Sequence, residues 1–192
     1  MNEKNNQKHP TTTTPAANAP AAHPLETFRH CPVCGSRRFR QDSFKSKHCD
    51  DCGFTYYANA SAATAAFIRN SRGELLVAVR AKDPAKGTLD LPGGFADIGE
   101  TAEQGIVREV REETGLHISQ PRYLFSIPNR YPYSGMVINT LDMFFEAEAD
   151  SDKPQADDDA ASLQWMPLEN IDPGQFGLKS ISQAVRKYID SV

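Results

Sequence analysis

Three glutamates, Glu109, Glu112 and Glu113, are spaced i, i+3 and i+4, so on a helix their carboxylates project from one face within ~5–6 Å of each other. Three like charges this close destabilise a bare helix, and Arg108 and Arg111 point elsewhere on the helical wheel. A divalent cation resolves the conflict; the alternative, for the three glutamates taken alone, is a mere surface feature. Hard carboxylate oxygens suit Mg²⁺ or Mn²⁺, and Mg²⁺ commonly bridges onward to substrate phosphates. A second set of candidate ligands is softer. Cys31, Cys34, Cys49 and Cys52 form two CxxC knuckles, each followed by Gly, with fourteen residues between them. That spacing lets two tight turns offer four thiolates to one tetrahedral Zn²⁺, which closes the shell and makes the role structural. Redox-active pairs are the alternative, but neither CxxC opens a βαβ unit.

These groups need elements to hold them. Leu91-Pro92-Gly93-Gly94 leads through Glu100 into a helix expected over residues 101–116. Thr101 is its N-cap, Gln104 completes a capping box, Gly115 stops it, and Ile106, Val107 and Val110 form its buried side. Strands are expected over 65–69 and 74–80, joined as a hairpin, then over 122–127 and 137–148 on either side of a Pro- and Tyr-rich loop, and last over 163–166. Residues 177–191 place Leu178, Ile181, Val185, Tyr188 and Ile189 at helical spacing. The fold class is therefore α/β (α+β). Residues 28–60 carry few aliphatic side chains and need a metal to fold as a ribbon. Residues 1–27 are expected to be a disordered tail, having almost no apolar side chains to offset their ordering entropy.

Gly94, Glu100, Arg108-Glu109-Val110, Glu112-Glu113 and Gly115-Leu116 match nine fixed positions of the Nudix hydrolase box without a gap. The chain resembles that family. The resemblance implies a mixed β-sheet sandwiched between helices, and hydrolysis of a nucleoside diphosphate linked to another moiety. It also implies Glu109 and Glu113 as main metal ligands with Glu112 alongside, a carbonyl near Gly93 completing the shell, and Arg108 orienting a box carboxylate. The four-cysteine ribbon followed by Tyr56-Tyr57 is similar to the NADH pyrophosphatase branch, which includes enzymes that remove NAD caps from RNA. That branch carries a Ser-Gln-Pro-Trp-Pro-Phe-Pro-x-Ser array after the box. Here the same place holds Ser126-Ile-Pro-Asn-Arg-Tyr-Pro-Tyr-Ser134: Ser126, Pro128, Pro132 and Ser134 are kept, Tyr131 replaces Phe, and Gln and Trp become Ile127 and Asn129. In this loop Tyr131 and Tyr133 could stack on a base or nicotinamide, and Arg130 could meet a phosphate. Asp159 aligns with a further metal-binding acid of the branch. Trp165 is expected in the core.

In the chemistry so implied, Glu112 or Glu113 receives a proton from water. Three functions are open: a pyrophosphohydrolase of NAD(H)-like dinucleotides, with NAD-capped RNA as a further substrate; the same reaction on ADP-ribose or a nucleotide sugar; or a nucleotide-sensing domain whose ribbon grips RNA or protein. A full set of box acids argues against the last. Arg37, Arg38, Arg40, Lys45 and Lys47 interleave with Phe39 and Phe44, as either a grip for single-stranded nucleic acid or, more plainly, a solvated basic face.

With 21 Lys and Arg against 25 Asp and Glu, the formal charge of −4 gives no overall attraction to nucleic acid or anionic lipid, so any such binding must be local. No apolar run reaches the ~18 residues that crossing a bilayer takes, and residues 1–10 lack the apolar core of a secretory signal. The expectation is a cytoplasmic protein that makes no membrane contact. A homodimer is left open.

Overall fold

The computed structural model describes residues 22–156 and 160–192. Most of the expected tail and the assignment of Asp159 therefore lie outside the described residues. The chain divides into two compact units, one running up to Ala58 and including Ser134–Met136, the other formed by Asn59–Tyr133 with Val137–Val192.

In the first unit, β1 (Phe39–Gln41), β2 (Ser46–Cys49) and β3 (Thr55–Tyr57) form a small antiparallel sheet in that order. Its core is Cys31, Phe39 and Cys49 with Phe54 packed alongside, so little apolar surface holds it together. Pro24 to Thr27, which the sequence reading places in the tail, form a turn, with Leu25 buried.

The second unit is built on β4 (Ser61–Arg69), β5 (Leu75–Arg80), β6 (Leu89–Asp90), β7 (Ile118–Tyr133), β8 (Met136–Ala149) and β9 (Ala160–Met166). The strand order is β6-β5-β4-β8-β7, with β9 also paired to β5. β4 and β5 form the expected hairpin, pairing Arg69 with Leu75, and β4 runs parallel to β8 from Ser61↔Thr140 to Arg69↔Glu148. Helix α1 (Ala102–Thr114) covers one face, where Ile106, Val110 and Leu116 meet Ala66, Ile68, Leu76 and Phe145. Helix α2 (Lys179–Ile189) covers the other, where Ile181, Val185 and Tyr188 meet Phe67, Leu75, Val77 and Phe144. Because both faces are covered, Thr64–Ile68 and Leu75–Ala78 are buried continuously rather than in alternation. Trp165 is half-buried against the α1-side core, and its Nε1 donates to the Asp152 carbonyl at 3.0 Å. Among the described residues no helix is long and apolar enough to cross a membrane.

The Pro- and Tyr-rich loop is not a loop. Residues 128–133 continue β7, which turns into β8 through Ser134 (φ 50) and Gly135 (φ 74). Two consecutive positive φ values are the turn that matches the twist of a two-residue hairpin. Pro128 and Pro132 are tolerated because β7 is the outermost strand of the sheet, where a missing N–H breaks no ladder on its outer side.

Candidate active site

Helix α1 begins as the sequence requires: the Thr101 hydroxyl accepts from the Gln104 N–H at 3.2 Å while the Gln104 side chain accepts from the Thr101 N–H at 2.9 Å. It ends at Gly115, φ 67. The glycine loop before it lies along β4, which donates from the Ala66 and Thr64 N–H groups to the Pro92 and Gly94 carbonyls at 2.9 and 2.8 Å. The intervening Gly93 faces the other way and donates its N–H to Glu113 Oε2 at 3.0 Å. With φ 148, Gly93 adopts backbone that side chains avoid, and a Cβ there would fall 2.1 Å from the Thr64 carbonyl oxygen. A Cβ on Gly94 would instead fall 2.6 Å from the Glu109 carboxylate. The two clashes differ in what must yield. Gly93→Ala pushes on backbone and should cost about 1–3 kcal/mol or more, a Tm drop of roughly 2–12 °C at this size. Gly94→Ala pushes on a movable side chain, so it should leave Tm nearly unchanged while lowering turnover by up to about 10²-fold through a displaced carboxylate. Thermal melts and steady-state kinetics on the two variants would separate them; equal Tm losses would refute this reading of the loop.

Arg108 is the hub of the acidic face. Its Nε and Nη2 hold Glu100 at 2.8 and 3.1 Å, its Nη1 holds both Glu109 and Glu112 at 2.9 Å, and Nη2 donates to the Phe95 carbonyl at 3.0 Å. The helical-wheel expectation that Arg108 points elsewhere is thus corrected: a long side chain curls back over its own turn because three carboxylates attract it from both sides. Burial raises the Glu109 carboxyl above its usual range despite Arg108, and the guanidinium, with the Asp97 N–H, lowers Glu100. The Glu109 side chain is only 16% exposed and Glu112 54%, so one acid is fixed and desolvated while the other stays in reach of solvent. Arg111 caps the helix end through its backbone carbonyl and takes no part in this network.

These donors suit a divalent cation. They are hard oxygens only, and Glu109 is a carboxylate whose burial penalises its charge unless a cation stands near.

Strand β7 splits the expected substrate residues in two. Phe125, Ile127, Asn129 and Tyr131 are partly buried, whereas Ser126, Pro128, Arg130 and Pro132 alternate with them and are exposed. Tyr131 meets Phe95 edge-on, with ring centroids 5.9 Å apart. Tyr133 is 58% exposed, and Ser134 sits in the hairpin turn. The structure therefore brings Tyr131 beside the loop that carries Gly93 and gives Arg130 the opposite face of its strand. Sequence reasoning missed the supports beneath. Asp142 is buried and accepts from Asn129 at 3.0 Å, Thr140 at 2.5 Å and Ser180 at 2.5 Å. Arg80 pairs with Asp90, whose carboxyl burial pushes up against the pull of that guanidinium. The signal was present: Asp142 interrupts an otherwise apolar run ending in Phe144-Phe145.

A family profile, the NUDIX domain, matches residues 59–186. The chain belongs to the Nudix family. Two curated relatives are the NAD-capped RNA hydrolases NudC of Vibrio cholerae, 31% identical over 79% of this chain and 54% of the relative, and of Pseudomonas aeruginosa, 31% identical over 76% and 50%. The chain spans about half the length of these relatives. Among solved structures, a NUDIX hydrolase from Nitrosomonas europaea matches with TM-score 0.70 at 20% identity, covering 85% of this chain and 91% of that one. The Nudix domain of Shewanella oneidensis NrtR, solved with ADP ribose, matches with TM-score 0.57 at 19% identity over 70% and 90%. These structures share the fold.

Ahead of the Nudix domain, the four cysteines converge, with all Sγ atoms within 4.8 Å of one another. Cys31 and Cys52 sulfurs are 3.7 Å apart, and Cys34 and Cys49 3.6 Å. Four sulfurs placed tetrahedrally about 2.3 Å from one ion would lie ~3.8 Å apart. The knuckles repeat one another: Gly35 (φ 74) donates to the Cys31 carbonyl and Gly53 (φ 76) to that of Cys49, both at 2.9 Å. The Cys52 and Asp51 N–H groups lower the Cys49 thiol to about 7, whereas Cys34, although the Ser36 N–H favours its thiolate, is pushed up to about 12 by Cys52 and by burial. Four thiolates this close repel one another, and a cation among them offsets that repulsion. Among the described residues the four cysteines are the only set of three or more His, Cys, Asp or Glu so arranged.

Proposed function

We propose that this Nudix chain is a divalent-cation-dependent pyrophosphohydrolase of NAD(H)-like dinucleotides, acting also on NAD at the end of RNA, in the cytoplasm. The observation that carries it is the intact acidic face of α1, gathered by Arg108 and met by the Gly93 N–H on Glu113. The NudC relatives support the choice of substrate. Residues 28–60 would be the ribbon, holding a structural Zn²⁺ on Cys31, Cys34, Cys49 and Cys52, and residues 61–192 the catalytic domain.

Glu109, Glu112, Glu113 and the Gly93 carbonyl would hold Mg²⁺ or Mn²⁺, with Asp159 as a further acid. When bound, such an ion would neutralise diphosphate charge and lower the pKa of water. Arg108 fixes Glu109 and Glu112 against each other, and the Gly93 N–H fixes one oxygen of Glu113. Glu112 or Glu113 accepts the proton of the attacking water. The phosphorus–oxygen bond of the diphosphate breaks as the water oxygen bonds to phosphorus. The substrate is then read along β7 by Tyr131 and Tyr133, whereas Ser126, Pro128 and Arg130 lie on the strand's other face.

Tyr131→Ala should raise KM for the preferred dinucleotide roughly 5- to 100-fold with a smaller change in kcat, since stacking is worth about 1–3 kcal/mol and is made alike in ground and transition states. Arg130→Ala and Tyr133→Ala, exposed on the hairpin, should change KM less. Steady-state kinetics would check this, and unchanged KM in all three would make the hairpin a scaffold only.

A second reading, hydrolysis of ADP-ribose or a nucleotide sugar, is favoured by one observation. The amide of Asn129, at the place of the branch's Trp, donates to Asp142 and accepts from the Arg130 N–H, and it has no aromatic face for a substrate ring. Side-by-side assays of NADH, ADP-ribose, diadenosine polyphosphates and NAD-capped RNA with Mg²⁺ or Mn²⁺ decide between the readings. No hydrolysis of any of them would overturn both.

A further inference from the structure

The small sheet of the first unit presents more aromatic surface than its folding explains. Phe44, in the turn between β1 and β2, is 80% exposed, and Phe28 and Tyr56 are 37% and 40% exposed. A phenylalanine so exposed contributes nothing to a core and adds a sticky surface. Phe28 and Tyr56 stack on each other, with centroids 6.1 Å apart and planes 20° from parallel. The register places Lys47 directly opposite Tyr56, and side chains of directly paired residues share a face. The Ala58 N–H donates to the Lys45 carbonyl at 2.8 Å, which joins the Phe44 turn to the end of β3. Two groups, Phe44 with Lys45 and Phe28 with Tyr56 and Lys47, are thus carried by one small sheet.

Its charge selects the partner. Between Phe28 and Ala58 there are six Lys and Arg against three Asp, while the whole chain is net negative. Arg38 and Arg40 are taken up by Asp51 and Asp50. Lys45 and Lys47 are not. Lys45 lies over the Phe44 ring, and Lys47 lies over the Phe39 ring and donates to the Phe28 carbonyl. Neither has a carboxylate partner among the described residues. Ammonium groups alternating with exposed rings suit a polyanion that also carries flat bases: rings take the bases and lysines the phosphates. A duplex hides its base faces, so the fit is to a single strand.

We propose that Phe28, Phe44 and Tyr56 with Lys45 and Lys47 are a sequence-tolerant platform for single-stranded RNA. It extends the proposed substrate from the NAD cap to the RNA body. Its test requires no hydrolysis, so it stands or falls separately from that reading.

The test is fluorescence anisotropy of a labelled, uncapped 12-nucleotide RNA with the full zinc-loaded chain, from low to moderate salt. The expected result is binding that weakens with salt and weakens roughly 5- to 150-fold in Phe44→Ala, the range that one stacked base implies. Phe44 is exposed enough that this variant keeps its fold, and unchanged zinc content and an unchanged thermal melt would confirm it. Lys45→Gln with Lys47→Gln should flatten the salt slope by about 0.7 per lysine lost. Wild-type protein that ignores the RNA at low salt, or a Phe44→Ala variant with full affinity, would overturn the proposal. So would a dimer in solution that Phe44→Ala dissociates, because the face would then belong to a second copy.

Discussion

Glu113→Gln should lower kcat on the best substrate by ~10²–10⁴-fold without unfolding the chain, the scale of a lost general base or electrostatic stabiliser. The amide is isosteric, and its oxygen can still accept from the Gly93 N–H, now at 3.0 Å from Glu113, so the loop geometry should survive. Glu112→Gln should fall as far if Glu112 is the proton acceptor and less if it only assists. Comparing kcat for the two variants, with circular dichroism melts as control, assigns the roles. Near-wild-type rates in both would remove the acidic face from the chemistry.

Replacing Cys49 or Cys34 by Ser should release the ribbon metal and loosen the first unit as a whole. Its buried hydrophobic cluster is three side chains, two of them the cysteines Cys31 and Cys49 themselves, so metal binding and folding are one equilibrium there. The expected readouts are zinc content falling to near zero by elemental analysis and amide protection lost across β1–β3, with protection in α1 and β4 kept. Stoichiometric zinc in purified Cys49→Ser with β1–β3 still protected would contradict the structural role.

What could be read from the residues followed how local the physics was. Helix α1, with its cap, stop and buried side, was legible because each signal lies within a turn or two of its neighbour. The knuckles were legible because metal-ligand spacing is itself local. The parallel pairing of β4 with β8 was not, since it joins residues some eighty positions apart and β4 is buried on both faces, which erases its alternation. Pro128 and Pro132 suggested a loop because proline usually breaks a ladder; only the place of β7 at the sheet edge, a property of the whole topology, makes them acceptable. Arg108 was misplaced by a wheel that knows Cα directions and not the reach of a guanidinium. Asp142 was passed over because its partners, Asn129, Thr140 and Ser180, come from three separate elements.

The outermost position of β7 also bears on how the protein behaves in a crowded solution. A sixteen-residue open edge would ordinarily invite a stray strand to dock by its backbone. Pro128 and Pro132, four residues apart and so in the same phase of the ladder, withhold two of the N–H groups such an intruder would need. The strand that carries Tyr131 is thereby guarded against aggregation along its length, and its side chains can stay bare for a nucleotide without the sheet growing into its neighbours.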